Sequence, residues 1–323
     1  NGCSLLLRAR RFNGTEQTVF TVDLTTNSKQ NLLTMKGDQL GKVLFNDQNS
    51  SLVISHQRPS EESLYQSISL KLRDEAELIS IATIEKGEFK LLGFNHLKDA
   101  IFYTHQEEMN TSLMKAELIS PFTHREIVDL NRIMPISTQQ GLSINVAEIA
   151  NYEKFGTFAR LIAYEEGPLG DKVIHQMGVL HLESMNYVEI FDGVEAGQSY
   201  IGEGVSWSPH APVFVIGGFY PREIFNKYDL VIVDARTVAH KFLQLDTLTE
   251  QYPWLLTAYE PEWSPNGEYI IFQSGQQVGL YNLEQGFVEP IDGMRGGGVH
   301  ANTQSFRWSP AYNQFPERCA ASE

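Results

Sequence analysis

The chain has 323 residues, 42% of them hydrophobic and 20% charged, which is ample for a large buried core. Lys and Arg total 25 against 40 Asp and Glu, a formal charge of −15, so phosphate backbones and anionic membrane surfaces are repelled and nucleic acid is excluded as a partner. No apolar run approaches the roughly 18 to 20 residues that span a bilayer, so the observed chain is not expected to insert into a membrane.

The chain opens Asn1-Gly2-Cys3-Ser4 without an initiator methionine. A removed secretory signal, or an anchor in a segment ahead of Asn1, fits this start. Asn-Gly-Cys-Ser also resembles a bacterial lipoprotein cleavage site, although that processing would leave Cys3 first. The two cysteines, Cys3 and Cys319, stand near opposite ends.

In chain order, short apolar or alternating segments recur at blade-like spacing. Thr18–Leu24 and Gln30–Thr34 read as strands. Residues 36–82 hold Lys42–Phe45, Ser51–Ser55, Tyr65–Leu70 and Ala76–Ser80. Residues 83–130 hold Leu91–Phe94, Ala100–Tyr103, Ser112–Leu118 and Arg125–Asp129. Residues 131–192 repeat the order with longer loops, and Ile144–Ala150 is the one stretch that also admits a turn or two of helix. Residues 193–245 and 246–292 carry the clearest copies: Val205-Ser206-Trp207-Ser208-Pro209 and Glu262-Trp263-Ser264-Pro265-Asn266-Gly267, each followed by an apolar strand. A third copy opens at Phe306-Arg307-Trp308-Ser309-Pro310. Ser, Pro, Asn and Gly in that order suit a type I turn. Four short strands per roughly 45 residues is a propeller signature.

Trp263–Phe272 with Leu280–Leu283 resembles the TolB-type, WD-like propeller repeat, in which Trp-Ser-Pro-Asp-Gly precedes an apolar strand. Asn266 stands where that repeat has Asp, and His210-Ala211 departs from its turn. The resemblance implies an all-β, six-bladed propeller with four-stranded antiparallel blades. It implies no activity, because such propellers serve as periplasmic accessory proteins, peptidase lids and a few polysaccharide lyases.

The expected ring is one domain over 1–323. Its blades are 1–34 with 305–309, then 36–82, 83–130, 131–192, 193–245 and 246–292. Sharing the first blade between both termini closes the ring and protects strand edges. The same register brings Cys3 and Cys319 together as a disulfide, which requires an oxidising compartment. The chain is therefore expected outside the cytoplasm: periplasmic, cell-surface or secreted.

No catalytic constellation stands out. Gly202-Glu203-Gly204-Val205-Ser206 is not a nucleophile elbow, and Cys-x-x-Cys and His-Glu-x-x-His zinc patterns are missing. Gly296-Gly297-Gly298 lacks the Lys and helix of a phosphate loop. No cofactor and no metal are expected. The long loops Gln57–Leu64, Glu165–Lys172, Gly217–Tyr228 and Asp292–Gln304 fall on one face. Tyr220, Arg222 and Phe225 offer aromatics with Arg, and Arg295 and His300 join them as candidate contacts for a protein partner. The leading expectation is a non-enzymatic binding or scaffolding module. The alternatives are a lyase or hydrolase with a central-channel site, and a structural subunit of a larger envelope assembly.

Overall fold

The computed structural model describes residues 4–10, 16–23, 28–46, 48–59, 64–73, 75, 77–84, 87–108, 110–134, 141–166, 172–192, 200–201, 205–217, 230–237, 239–243, 245, 258–274 and 277–295. Cys3, Tyr220, Arg222, Phe225, His300, Trp308 and Cys319 lie outside them. Contacts divide the chain into two compact units, one ending its first run at Arg132 and one beginning at Ile133.

Among the described residues the first unit holds three antiparallel sheets. The first is β1 (Ser4–Arg10), β2 (Glu16–Asp23) and β3 (Lys29–Lys36). The second is β4 (Gln39–Asn46), β5 (Ser51–Pro59), β6 (Leu64–Lys71) and β7 (Ile79–Ile84). The third is β8 (Glu88–Phe94), β9 (Ala100–Glu107), β10 (Asn110–Glu117) and β11 (His124–Asp129). A single helical turn, α1 (Leu130–Ile133), follows.

Among the described residues the second unit holds three more sheets. The fourth is β12 (Ser143–Tyr152), β13 (Gly156–Glu166), β14 (Lys172–His181) and β15 (Asn186–Asp192). A two-residue strand, β16 (Tyr200–Ile201), adds to it by pairing with β14. The fifth is β17 (Val205–Trp207), β18 (Val213–Ile216), β19 (Val231–Asp234) and β20 (His240–Phe242). The sixth is β21 (Ala258–Trp263), β22 (Tyr269–Ser274), β23 (Gln277–Asn282) and β24 (Phe287–Arg295). Strands within each of the four-stranded sheets are sequential neighbours, as hairpin connections dictate.

Two sequence readings are corrected, and a third falls outside the described residues. Ile144–Ala150 is strand in β12, because its apolar residues alternate against β13 rather than forming a helical stripe. The first sheet has three strands among the described residues, since its expected fourth, 305–309, is not among them. The loop expected from Asp292 begins instead as β24, and Arg295 lies opposite Gln277 in the ladder.

Period-two alternation explains the packing. On β5, Leu52 and Ile54 pack with Val19 and Met35 of the first sheet. Val53, between them, packs with Leu91, Ile101 and Tyr103 of the third. On β18, Phe214 and Ile216 join Phe158, Ile162 and Val179 of the fourth sheet, while Val215 joins Trp263, Ile270 and Phe272 of the sixth. Each such strand is buried on both faces, which accounts for its continuous apolar run. Every fully buried side chain of this size stabilises by about 1.5–3 kcal/mol.

The Trp-Ser-Pro turn forms as its chemistry requires. The Gly267 N–H donates to the Ser264 carbonyl at 2.9 Å, and the Tyr269 N–H donates to Ser264 Oγ at 2.9 Å. Trp207 lies opposite Phe214 and Trp263 opposite Ile270, so both tryptophans end the first strand of their sheets. Trp263 is buried, and Trp207 is half-buried against Tyr152, Phe158 and Phe214.

Candidate functional site

A bulge interrupts the first strand of four sheets. The register shifts between Leu40 and Val43 in β4, Leu91 and Gly93 in β8, Val146 and Glu148 in β12, and Tyr259 and Glu262 in β21. Bulges re-aim side chains and gather beside functional sites. In β4 the bulge turns Lys42 so that its Nζ donates to the Leu92 carbonyl, itself within the β8 bulge, at 2.5 Å. In β12 it turns Glu148 across to Arg160 of β13, with Nη2 to Oε1 at 3.1 Å. In β21 it holds Glu260 at φ +50°, a left-handed conformation unusual outside glycine, and burial pushes the Glu260 carboxyl up.

A buried acid–imidazole–hydroxyl row crosses the second sheet. Asp38 sits in the turn from β3 to β4 and receives Arg58 through two bonds of 2.9 and 3.1 Å. His56 Nδ1 faces Asp38 Oδ2 at 3.3 Å, a charge contact rather than a well-directed hydrogen bond. His56 Nε2 meets Ser69 Oγ at 3.0 Å. Burial pushes the His56 imidazole down; the neighbouring Asp38 carboxylate opposes it, and Arg58 adds to it. The order resembles a serine–histidine–aspartate relay, but Ser69 is only 3% exposed and offers no approach to an acyl group. What the row does is clamp β5 and β6 to the turn entering β4.

A second serine–histidine pair occupies the β14–β15 turn. His181 Nδ1 meets Ser184 Oγ at 2.6 Å and accepts the Ser184 N–H at 3.2 Å. The other ring nitrogen, Nε2, lies 2.9 Å from the Phe155 carbonyl and 3.3 Å from Glu183 Oε2. A carbonyl can only accept, so Nε2 carries the proton and Nδ1 accepts. The ring thereby binds two turns of the fourth sheet together. Among the described residues no group of three or more His, Cys, Asp or Glu is arranged to hold a metal ion.

Of the residues picked out in sequence, Arg295 is placed by its backbone alone, and Tyr220, Arg222, Phe225 and His300 lie outside the described residues. The first three belong to the connection between β18 and β19, and His300 follows β24. Asp38, His56, Ser69, Glu148 and Arg160 escaped the sequence reading. One signal was available: Ser55-His56-Gln57 recurs as Thr104-His105-Gln106, at the matching place in β9. His105 Nε2 is buried there without a hydrogen-bond partner, and its ring meets Phe89 edge-on.

No protein-family model matches the chain, and no curated protein matches it. Solved structures do. An oligogalacturonate lyase in complex with manganese is similar over 95% of this chain and 78% of its own, with TM-score 0.56 and 11% identity. Prolyl oligopeptidase B from Galerina marginata is similar over 93% of this chain and 43% of its own, with TM-score 0.55 and 8% identity. TolB from Acinetobacter baumannii is similar over 90% and 64%, with TM-score 0.46 and 12% identity. The chain thus spans less than half of the oligopeptidase. At these identities the first two likenesses show fold alone, and the fold is of the β-propeller class. Among the described residues no helix is long and apolar enough to cross a membrane.

Proposed function

We propose that the chain is a non-enzymatic propeller of six blades that binds or scaffolds a protein partner outside the cytoplasm. One observation carries this reading. The hydroxyl of the Asp38–His56–Ser69 row is buried, so acid, base and hydroxyl serve to clamp strands rather than to meet a substrate. The run of antiparallel sheets and the propeller neighbours support a ring, which presents its long connections as a rigid contact face. The connection from β18 to β19 supplies Tyr220, Arg222 and Phe225, and Arg295 and His300 extend the surface. Closure by 305–309 and a Cys3–Cys319 bridge belong to the same proposal; non-reducing peptide mapping tests the bridge.

The functional test is affinity capture from the native source with the immobilised chain, followed by mass spectrometry. Replacing Tyr220, Arg222 and Phe225 together by Ala should remove the captured partner while leaving Tm unchanged. Capture by the triple variant equal to that of the unaltered chain sinks the contact face. Turnover of oligogalacturonides or of a proline-containing peptide by the purified chain would replace the binding reading with the enzyme alternative.

A further inference from the structure

Glu260 and Pro261 form the β21 bulge, set between the Tyr259–Gln273 and Glu262–Ile271 pairs. The left-handed backbone of Glu260 is strained for a residue with a side chain, and such strain persists only where the surroundings fix it. The next residue is fixed in this way. A Cβ on Gly217 would lie 2.9 Å from Pro261 Cδ, 3.0 Å from the Ala258 carbonyl oxygen and 3.1 Å from Leu230 Cδ2. Gly217 follows β18 and Leu230 precedes β19, so the bulge is braced against the root of the long β18–β19 connection. Glu260 also stands toward the end of the sixth sheet that carries the β22–β23 turn, because Ser274 pairs with both Ala258 and Gln277.

The β12 bulge brings Glu148 to Arg160, whereas the β21 bulge gives Glu260 no such partner among the described residues. Its carboxylate is half-buried, and burial shifts its titration with no neighbouring cation or donor in opposition. Desolvating a charge without a partner costs stability, so the free chain keeps this carboxylate at a loss that an arriving cation reverses. A hard metal ion needs several oxygen ligands together, and no group of three or more His, Cys, Asp or Glu is arranged for one among the described residues. An arginine fits better, because both carboxylate oxygens are free to accept its planar fork. The formal charge of −15 draws basic partners toward the chain as a whole.

We infer that Glu260 is the counter-charge for an arginine of the protein partner, received beside the root of the β18–β19 connection. The inference rests on the binding reading above and names the partner's chemistry: a basic segment whose guanidinium lays two N–H groups on the two carboxylate oxygens. The strained bulge holds the carboxylate in place before the partner arrives, so little side-chain freedom is lost on binding.

The test titrates an acetylated, amidated tri-arginine peptide into the full chain by calorimetry at low ionic strength. E260Q keeps the side chain's shape and removes its charge. E284Q removes one charge from an exposed turn at the opposite end of the same sheet. The half-saturating peptide concentration should rise about tenfold in E260Q and change by less than about twofold in E284Q. The Tm of E260Q should equal or exceed that of the unaltered chain, because a neutral amide costs less to bury. A lower Tm makes Glu260 a structural support and overturns the inference. Equal peptide affinity in E260Q and E284Q overturns it, as does failure of the unaltered chain to bind the peptide. Capture from the native source separates this inference from the reading beneath it. A partner captured equally by E260Q and the unaltered chain removes Glu260 and leaves the contact face standing. Absence of any captured partner removes the face, while the tri-arginine titration still decides whether Glu260 receives a guanidinium.

Discussion

The Tyr152 hydroxyl donates to the Ser208 carbonyl at 2.9 Å, joining the last residue of the fourth sheet's first strand to the Trp-Ser-Pro turn of the fifth. The same joint recurs in the first unit, where Asn46 Nδ2 donates to the Lys98 carbonyl at 3.0 Å, again from one sheet's first turn to the next. Burial pushes the Tyr152 hydroxyl up, so it stays a donor throughout the physiological range. Tyr152→Phe keeps the ring against Phe158 and Trp207 and removes only this bond. The expected cost is about 1–2 kcal/mol, because the Ser208 carbonyl loses its partner. Urea unfolding of the two proteins checks it; equal midpoints would mean that the joint contributes nothing.

Trp263 fills the layer between the fifth and sixth sheets with Val215, Leu230 and Phe272. Truncation there leaves a cavity that strands on both sides cannot close. Trp263→Ala should cost about 3–5 kcal/mol. Trp207→Ala should cost less, since Trp207 is half-buried. Because the Trp263 Nε1–H is buried without a partner, Trp263→Phe forfeits volume but no hydrogen bond, and about 1–2 kcal/mol is expected. Denaturant midpoints that rank Trp207→Ala below Trp263→Ala in stability would contradict the packing described.

These two tryptophans also mark how far the sequence could be read. At Trp207 and Trp263 strand and turn follow directly from Trp-Ser-Pro. In the first half the same turn is built on Phe94-Asn95: the Asn95 N–H pairs with the Ala100 carbonyl, and the Asn95 side chain accepts the Ala100 N–H, as Ser264 does for Tyr269. Phe45-Asn46 stands at the matching place in β4. An amide oxygen replaces the hydroxyl and Phe replaces Trp, so the physics persists while the letters change. The buried site residues were harder to see. Arg160 lies in an apolar alternation where a charge reads as an interruption, and its partner Glu148 comes into register only through a bulge, which period-two counting cannot anticipate.

The His56 row makes stability depend on pH with a definite sign. The folded imidazole titrates below the ordinary value of 6.5, mainly through burial, so the unfolded chain takes up the proton first as pH falls. The contribution is therefore complete above pH 6.5 and declines as the medium is acidified toward the folded value. His56→Gln removes the titration, and its Tm should fall less steeply between neutral and mildly acidic pH than that of the unaltered chain. Parallel profiles for the two proteins would remove His56 from the account.

Two glycines at the entries to β4 and β8 separate backbone strain from steric contact. Gly37 and Gly87 both take left-handed conformations, at φ +81° and +84°. A Cβ on Gly37 would meet nothing within 4 Å. Gly37→Ala should therefore cost only the conformational penalty, about 1–2 kcal/mol, and Gly37→Asn less, because Asn tolerates this region. A Cβ on Gly87 would run into the Gln106 carbonyl oxygen. Gln106 belongs to β9, which is paired on one side through Glu88 and on the other through Thr111, so its main chain cannot retreat without breaking two ladders. Gly87→Ala should thus cost about 3 kcal/mol or more, the same strain plus the displacement of a paired strand. Hydrogen exchange locates the difference: amides of β9 should lose protection in Gly87→Ala and keep it in Gly37→Ala. If the two alanine variants unfold at the same urea concentration, the close approach of β9 to the β8 entry is wrong.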